Sequence, residues 1–285
     1  MAPAIEYAFA AMLFFGLGDL VYKRGAAAGA PAHQFMMVQT WFFTPSVIAY
    51  GLFTGSLVFN AALLWGALAG VFIVLGYYNF AYCLKAGSVS IVAPVFRLSF
   101  ALTAALAVAL LGEPLTLPKL AGLALALAAV WLLLGAPAGA SRARRLQDRA
   151  LLWRLLGATA AVALANLIYK FGLRAGSTPA MLLSAQACTA SVIATSFAAR
   201  IDGRVSPNRA ALRHAPVAAL VLSTAFVLLL TGLKTGAASV LVPVAQMGFV
   251  VTALLGFTFM GEAFTARKGA GLLAAVAALA SLAHG

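Results

Sequence analysis

The sequence predicts an all-α membrane protein with ten transmembrane helices arranged as two inverted five-helix repeats. Of the 285 residues, 64% are hydrophobic and only 9% are charged, and the mean hydropathy is +1.03. A soluble domain carries about a quarter of its residues as charged ones, so this composition indicates a multi-pass membrane protein. Ten long apolar segments and an internal similarity between the two halves of the chain complete the prediction.

The apolar segments are long enough to cross the ~30 Å hydrocarbon core of a bilayer. In order, they span Ala4–Tyr22, Gln34–Thr54, Ala61–Leu84, Val89–Leu111, Leu117–Gly135, Ala150–Gly172, Pro179–Ala199, Ala215–Leu233, Ala238–Met260 and Gly269–Ala283. The connections between them are short except for the basic stretches 136–149 and 200–214. The first of these stretches divides the chain into a five-helix repeat at 1–135, a basic loop at 136–149 and a second five-helix repeat at 150–285.

The two halves resemble each other at constant offsets. Residues 19–23 (DLVYK) match residues 166–170 (NLIYK), and the same offset of 147 relates Gln39 to Gln186. At an offset of 149, seven residues recur as the same type: Lys85, Pro94, Thr103, Glu113, Thr116, Lys119 and Gly122. This many identities in order favour a duplication. An odd number of helices per half then places the copies in opposite orientations, with a binding site near the membrane midplane between them.

The basic residues predict an orientation rather than a nucleic-acid partner. The net charge is +13, but Lys and Arg are concentrated in the short loops, where they set topology and meet anionic lipid headgroups. Of the 19 Lys and Arg residues, fourteen follow the odd-numbered helices and four follow the even-numbered ones. The positive-inside rule therefore predicts a bacterial inner-membrane protein with both termini outside.

The ends of the fourth and ninth helices resemble a known family. Residues 112–116 read GEPLT and residues 261–265 read GEAFT, each after an Ala/Leu-rich helix that contains a proline. Together with the two five-helix halves, this pattern resembles the EamA-type members of the drug/metabolite transporter superfamily. The resemblance implies ten helices, export or exchange of a metabolite, and a central cavity lined mainly by helices one, three, four, six, eight and nine. It also implies termini in the cytoplasm, which disagrees with the charge distribution, and we retain the latter.

Arg97 is the leading candidate for substrate binding. It lies about eight residues into the fourth segment, ~12 Å deep, where an arginine requires a partner or water. One reading is a guanidinium that binds a substrate carboxylate, and the other is a structural ion pair or a link to helix-end carbonyls. The equivalent position in the second half holds Gln246. Pro94 and Pro243 precede these residues by one turn, so we expect kinks with free carbonyls beside the site.

Asp19 is the second candidate, and its depth places it in the same half of the membrane as Arg97. It could pair with Arg97 or act as a proton-coupling group, and we favour the pairing. Tyr78, Asn79 and Tyr82 fall in one short window of the third helix. They are candidates for the uncharged part of the substrate, with an interfacial aromatic belt as the alternative.

Other polar residues have simpler interpretations. We expect Glu113 and Glu262 to be solvated caps at helix ends, and Lys23 and Lys170 to extend towards headgroups. Three residues near helix starts are predicted to be interfacial anchors and only weak site candidates: Gln39, Trp41 and Gln186.

Taken together, these residues predict a secondary transporter, an exporter or exchanger, for an amino acid or related zwitterion or anion. It would work by alternating access without a metal or cofactor. Alternatives are a carrier for cationic or lipophilic compounds that uses Asp19 and the aromatic residues, and a non-transporting membrane scaffold.

An enzyme is disfavoured: the GLGD string at 16–19 lacks a second intramembrane aspartate, and neither an HExxH nor a Walker A sequence is present. Small-residue faces on helices five and ten allow close packing within one chain or in a homodimer.

Overall fold

The structure is a computed structural model that describes residues 3–86, 95–134, 149–259 and 265–284. The regular elements in these ranges are α-helices. The helices are α1 (Pro3–Ala27), α2 (Ala32–Phe53), α3 (Leu63–Ala86), α4 (Ser99–Leu111), α5 (Leu117–Leu134), α6 (Arg149–Arg174), α7 (Pro179–Asp202), α8 (Arg209–Thr235), α9 (Ala238–Gln246), α10 (Gly248–Phe259) and α11 (Ala266–Ala283).

The number of membrane helices agrees with the prediction. In the described part of the chain, 7 helical spans are long and apolar enough to cross a membrane, and α9 with the start of α10 forms one of them. Two shorter apolar helices, Val95–Leu111 and Leu117–Leu133, and the 22-residue helix α2 bring the count in these ranges to ten. The prediction of an all-α protein with ten membrane helices is therefore confirmed.

Several helices extend beyond the apolar segments that predicted them. Helix α1 continues past Tyr22 to Ala27, and α8 begins at Arg209 instead of Ala215. These extensions are basic, and long cationic side chains can reach headgroups or water while the backbone remains helical. The apolar pattern marks the hydrocarbon depth, whereas backbone hydrogen bonding continues into the interface.

The helices pack reciprocally across the two halves. Helix α1 packs against α8 and α3 packs against α6, while α2 meets α7, α4 meets α9 and α5 meets α11. In the predicted duplication, α6 is the counterpart of α1 and α8 is the counterpart of α3, so exchanging the halves maps each of these contacts onto another or onto itself. This pattern supports the predicted duplication. The inversion and the repeat boundaries remain predictions.

Local turns also recur between the halves. Gly29 and Gly176 follow α1 and α6 with φ of 84° and 87°, a conformation that favours glycine. After α1, the amide of Ala30 donates to the carbonyl of Gly25 at 3.1 Å, and after α6 the amide of Ser177 donates to Gly172 at the same distance. Both turns therefore lead into the next helix with the same geometry.

The small-residue faces of the fifth and tenth helices are used within this chain. A Cβ built on Gly122 of α5 would lie 2.6 Å from Leu282 of α11, and one on Gly271 of α11 would lie 2.8 Å from Leu133 of α5. The two helices therefore approach closely because glycine removes side-chain bulk from the contact.

Candidate functional site

Two membrane helices are interrupted at equivalent positions beside the candidate site. Leu98 interrupts the first one directly after Arg97, and Met247 interrupts the second directly after Gln246. At the second interruption the amide of Val250 donates to Met247 O at 2.9 Å, a tighter i to i−3 pattern. The carbonyl of Gln246 is therefore available to a side chain.

Arg97 occupies this position. Its Nη2 donates to the carboxylate of Asp19 in an ion pair, and its Nη1 donates to the backbone O and the side-chain Oε1 of Gln246, each at 3.4 Å. The guanidinium carbon also lies 6.0 Å from the ring centroid of Phe249. The predicted pairing of Asp19 with Arg97 is confirmed, and the bond to Gln246 O agrees with the structural alternative for Arg97, a link to a helix-end carbonyl.

The two members of the ion pair differ in accessibility. The Arg97 side chain is 14% exposed, whereas that of Asp19 is 36% exposed. Tyr22 and Tyr77 lie close enough to interact electrostatically with Asp19. The Asp19 carboxylate is therefore the more exposed member of the pair, and two phenol groups lie near it.

Pro243 lies within α9, one turn before the interruption. The amide of Met247 donates to the carbonyls of Pro243 and Val244 at 3.2 and 3.1 Å, which closes the last turn of α9. Pro243 thus precedes a break in the helix of the predicted kind. Its counterpart Pro94 lies outside the described residues.

Glycine brings α1 against α9 and α10 next to the ion pair. A Cβ on Gly16 would lie 2.6 Å from Gly248 O and 2.5 Å from the Cβ of Val251. The hydroxyl of Thr252 donates to Gly16 O at 3.0 Å. Asp19, one turn further along α1, is thereby held opposite the chain break that follows Gln246.

We expect Gly16→Ala to lower the melting temperature of the purified protein by several degrees. Overpacking costs about 1–3 kcal/mol, and each kcal/mol shifts the midpoint by about 2–4 °C in chains of this size. The matched control is Gly157→Ala in α6, where a Cβ meets nothing within 4 Å. Thermal unfolding of both variants in detergent checks the expectation, and an unchanged midpoint in Gly16→Ala would contradict it.

A cavity is lined by residues of both halves, and two of them, Tyr22 and Tyr77, interact electrostatically with Asp19. Its lining residues are Tyr22, Met36, Gln39, Thr40, Phe43, Ile73, Val74, Tyr77, Gln186, Ala187, Ala190, Leu222 and Phe226. They come from helices one, two, three, seven and eight. The resemblance implied helices four, six and nine as well, and these contribute none of the lining residues. The volume of this cavity is about 40 Å³.

The predicted aromatic group of the third helix faces other partners. The Tyr78 ring packs edge-on against Phe197 with centroids 4.5 Å apart, and Asn79 Nδ2 donates to Leu75 O at 2.8 Å. Tyr82 lies beneath the guanidinium of Arg154, 4.5 Å from the ring centroid. None of the predicted trio (Tyr78, Asn79 and Tyr82) is among the lining residues of this cavity.

Two glutamines that the sequence marked only as weak site candidates lie at the cavity, and each forms a hydrogen bond with a tyrosine. Tyr22 OH donates to Gln39 Oε1, and Tyr169 OH donates to Gln186 Oε1. Gln186 is 3% exposed and lines the cavity, so the expectation that it is an interfacial anchor is wrong. The signal was present in the sequence, because both members of the first pair recur at the offset of 147.

Glu113 is a buried cap instead of a solvated one. It is 8% exposed, and its two carboxylate oxygens accept hydrogen bonds of 2.8 Å from the amides of Ala238 and Ser239. These amides begin α9, where a negative charge is favoured by the helix dipole. Glu113 therefore ties the end of α4 to the start of α9. Glu262, its counterpart, lies outside the described residues.

Lys170 is buried as well, so the expectation that it extends to the headgroups is wrong. It is 7% exposed, and its Nζ donates to Leu233 O and Gly236 O, both at 2.6 Å. The ammonium also interacts electrostatically with the carboxylate of Glu113. Together the two side chains cap the end of α8 and the start of α9.

Comparison with known proteins agrees with this architecture. Residues 2–135 match the EamA-like transporter family, which confirms the resemblance seen in the sequence. A solved crystal structure of a protein matches with a TM-score of 0.82 and 18% identity, covering 99% of this chain and 98% of that chain. At this identity the match shows the fold alone, and it extends over both halves. No protein with a curated description matches the sequence.

The helices are those of a multi-pass membrane protein, and the match over residues 2–135 points to the transporter class. Residues 2–135, which contain the first five helices, are similar to the EamA-like transporter family. This similarity suggests a membrane transporter of small molecules and points away from an enzyme.

Proposed function

We propose that this protein is a secondary transporter that exports or exchanges an amino acid or a related small zwitterion. The observation that carries the proposal is the ion pair of Arg97 and Asp19, which joins two apolar membrane helices and neighbours a cavity lined by both halves. Charged side chains inside a membrane are costly, and they commonly mark substrate or ion pathways.

A zwitterion suits this pair because it keeps every charge compensated. Its carboxylate can replace Asp19 as the partner of Arg97, and its ammonium can then pair with the released Asp19. A simple anion would leave the Asp19 carboxylate without a partner, and a simple cation would leave Arg97 without one. Either outcome places an uncompensated charge in a poorly solvated site.

The size of the cavity supports alternating access. A cavity of about 40 Å³ is smaller than an amino acid, which supports a cycle in which the helices separate before the substrate enters. The carboxylate and ammonium of Glu113 and Lys170 hold the ends of α4, α8 and α9 together. We infer that the end closed by these residues opens when the opposite end closes.

One observation favours a carrier for organic cations as the second candidate. Asp19 is more exposed than Arg97, at 36% against 14%, and tyrosine rings lie near it. An amine could therefore reach the carboxylate and the π-faces of these rings first.

A thermal-shift screen of the purified protein against amino acids, small amines and nucleotide sugars separates the two candidates. A ligand that binds the folded state raises the melting temperature by mass action. We expect amino acids to raise it in the wild type and to have no effect in Arg97→Ala. Arg154→Ala, an exposed arginine outside the cavity, is the matched control and should retain the response.

Arg97→Ala leaves Asp19 without its counter-charge, so a second variant accompanies it. Arg97→Gln combined with Asp19→Asn removes both charges at once, and we expect it to be folded and unresponsive to amino acids. Amines that stabilise the wild type and Arg97→Ala, but not Asp19→Asn, would support the second candidate. An amino-acid response that survives in the double variant would overturn the first.

A further inference from the structure

The cavity contains two glutamines that are held in the same manner. In each case the side-chain Oε1 accepts a hydrogen bond from a tyrosine 17 residues earlier in the chain, Tyr22 for Gln39 and Tyr169 for Gln186. Tyr169 is fully buried and lies outside the lining, while both glutamines are part of it. Tyr169 therefore holds Gln186 from behind the lining, whereas Tyr22 is itself part of the lining, and each phenol fixes the orientation of its amide.

This arrangement leaves the other end of each amide unused. With Oε1 engaged, the Nε2 group presents N–H donors, and neither Nε2 has a hydrogen-bond partner in the part of the chain that the structure describes. The surrounding lining is mostly apolar, with Phe43, Leu222 and Phe226 among its larger members. Donors in such surroundings bind an acceptor strongly, because they are costly to leave unpaired.

Arg97 and Asp19 are not among the lining residues of the cavity that contains the two glutamines. Tyr22 joins the two regions, since it interacts electrostatically with Asp19 and donates to Gln39. Gln186 approaches the same space from α7 in the other half. A substrate held at its charged end by Arg97 and Asp19 would therefore extend its side chain towards the two amides.

We propose that Gln39 and Gln186 determine substrate specificity by donating hydrogen bonds to an acceptor on the side chain of the amino acid. This inference rests on the proposed function and narrows its substrate class to amino acids whose side chain carries a carbonyl or hydroxyl oxygen. The site discriminates between substrates because an analogue without the acceptor leaves the buried N–H donors of the glutamines without a hydrogen bond. The apolar rings around the amides then contact the aliphatic part of the side chain.

Binding of near-isosteric ligands tests this directly. Asparagine and leucine differ mainly in the polar atoms at the end of a similar branched side chain, as do threonine and valine. We expect the wild-type protein to bind asparagine at least about tenfold more tightly than leucine in calorimetric titrations. Gln39→Leu and Gln186→Leu should each weaken asparagine binding and bring the ratio towards one while preserving leucine binding.

Preserved leucine binding shows that a glutamine variant is folded. If either variant does not fold, Tyr22→Phe, which removes the hydroxyl that orients Gln39, should also lower the ratio. The control is Trp41→Phe on the same helix, which removes the bond to Thr195 outside the cavity. Equal binding of asparagine and leucine by the wild type, or an unchanged ratio in both glutamine variants, would overturn the inference.

The same titrations distinguish failure of the inference from failure of the proposed function. Amino-acid binding that depends on Arg97 but not on Gln39 or Gln186 removes the specificity role and leaves the transporter proposal in place. Absence of any Arg97-dependent binding removes both.

Discussion

Asp19→Ala should destabilise the protein more than Asp19→Ala combined with Arg97→Leu. The single variant leaves the Arg97 guanidinium, only 14% exposed, without its carboxylate partner inside the membrane. An arginine at such a depth costs about 3 kcal/mol, and breaking one side of a buried pair is more damaging than removing both sides. The double variant removes both charges and leaves Gln246 to form other hydrogen bonds.

Thermal unfolding of the two variants and of Arg97→Leu measures this difference as a double-mutant cycle. Arg213→Leu, at an exposed arginine of α8, serves as the control and should change the midpoint little. If the losses in the two single variants simply add in the double variant, the ion pair contributes no coupling energy and the prediction is wrong.

Glu113→Ala should be the second strongly destabilising substitution. It removes both acceptors from the amides of Ala238 and Ser239 and leaves Lys170 without the nearby carboxylate. Hydrogen bonds to charged groups contribute about 1.5–3 kcal/mol each, so we expect a loss of about 3 kcal/mol or more, and Glu113→Gln should lie between the wild type and the alanine variant.

Glu6→Gln is the matched control, because Glu6 is an exposed glutamate in the first turn of α1. The melting temperatures of these variants in detergent give the comparison. A midpoint for Glu113→Ala equal to that of Glu6→Gln would show that the cap on α9 is dispensable.

Sequence reasoning was most successful where one physical rule determines the outcome. Apolar length predicted the ten helices, because the thickness of the bilayer sets that length. The cost of an arginine inside a membrane predicted that Arg97 has partners, and depth along the helices identified Asp19. These inferences need no knowledge of how the helices are rotated about their axes.

Helix rotation explains what the sequence could not predict. Tyr77 and Tyr78 are neighbours in the chain but project about 100° apart on a helix, and only packing against α7 turns Tyr78 towards Phe197 and leaves Tyr77 at the cavity. Glu113 was expected to be solvated because it follows the end of an apolar helix. It is buried because the start of α9 packs against it, and this contact joins residues that are far apart in the chain.

The crossing of α1 with α9 and α10 has a consequence for how the two halves can move. At Gly16 and Gly248 the backbones touch without intervening side chains, so little there can compress or slide. In the alternating-access cycle that we propose, such a contact would act as a pivot: tilting one half against the other would change distances least at the crossing and most at the helix ends. Because Asp19 and Gln246 lie within about one turn of that point, the charged pair would stay nearly stationary while access changes from one face of the membrane to the other.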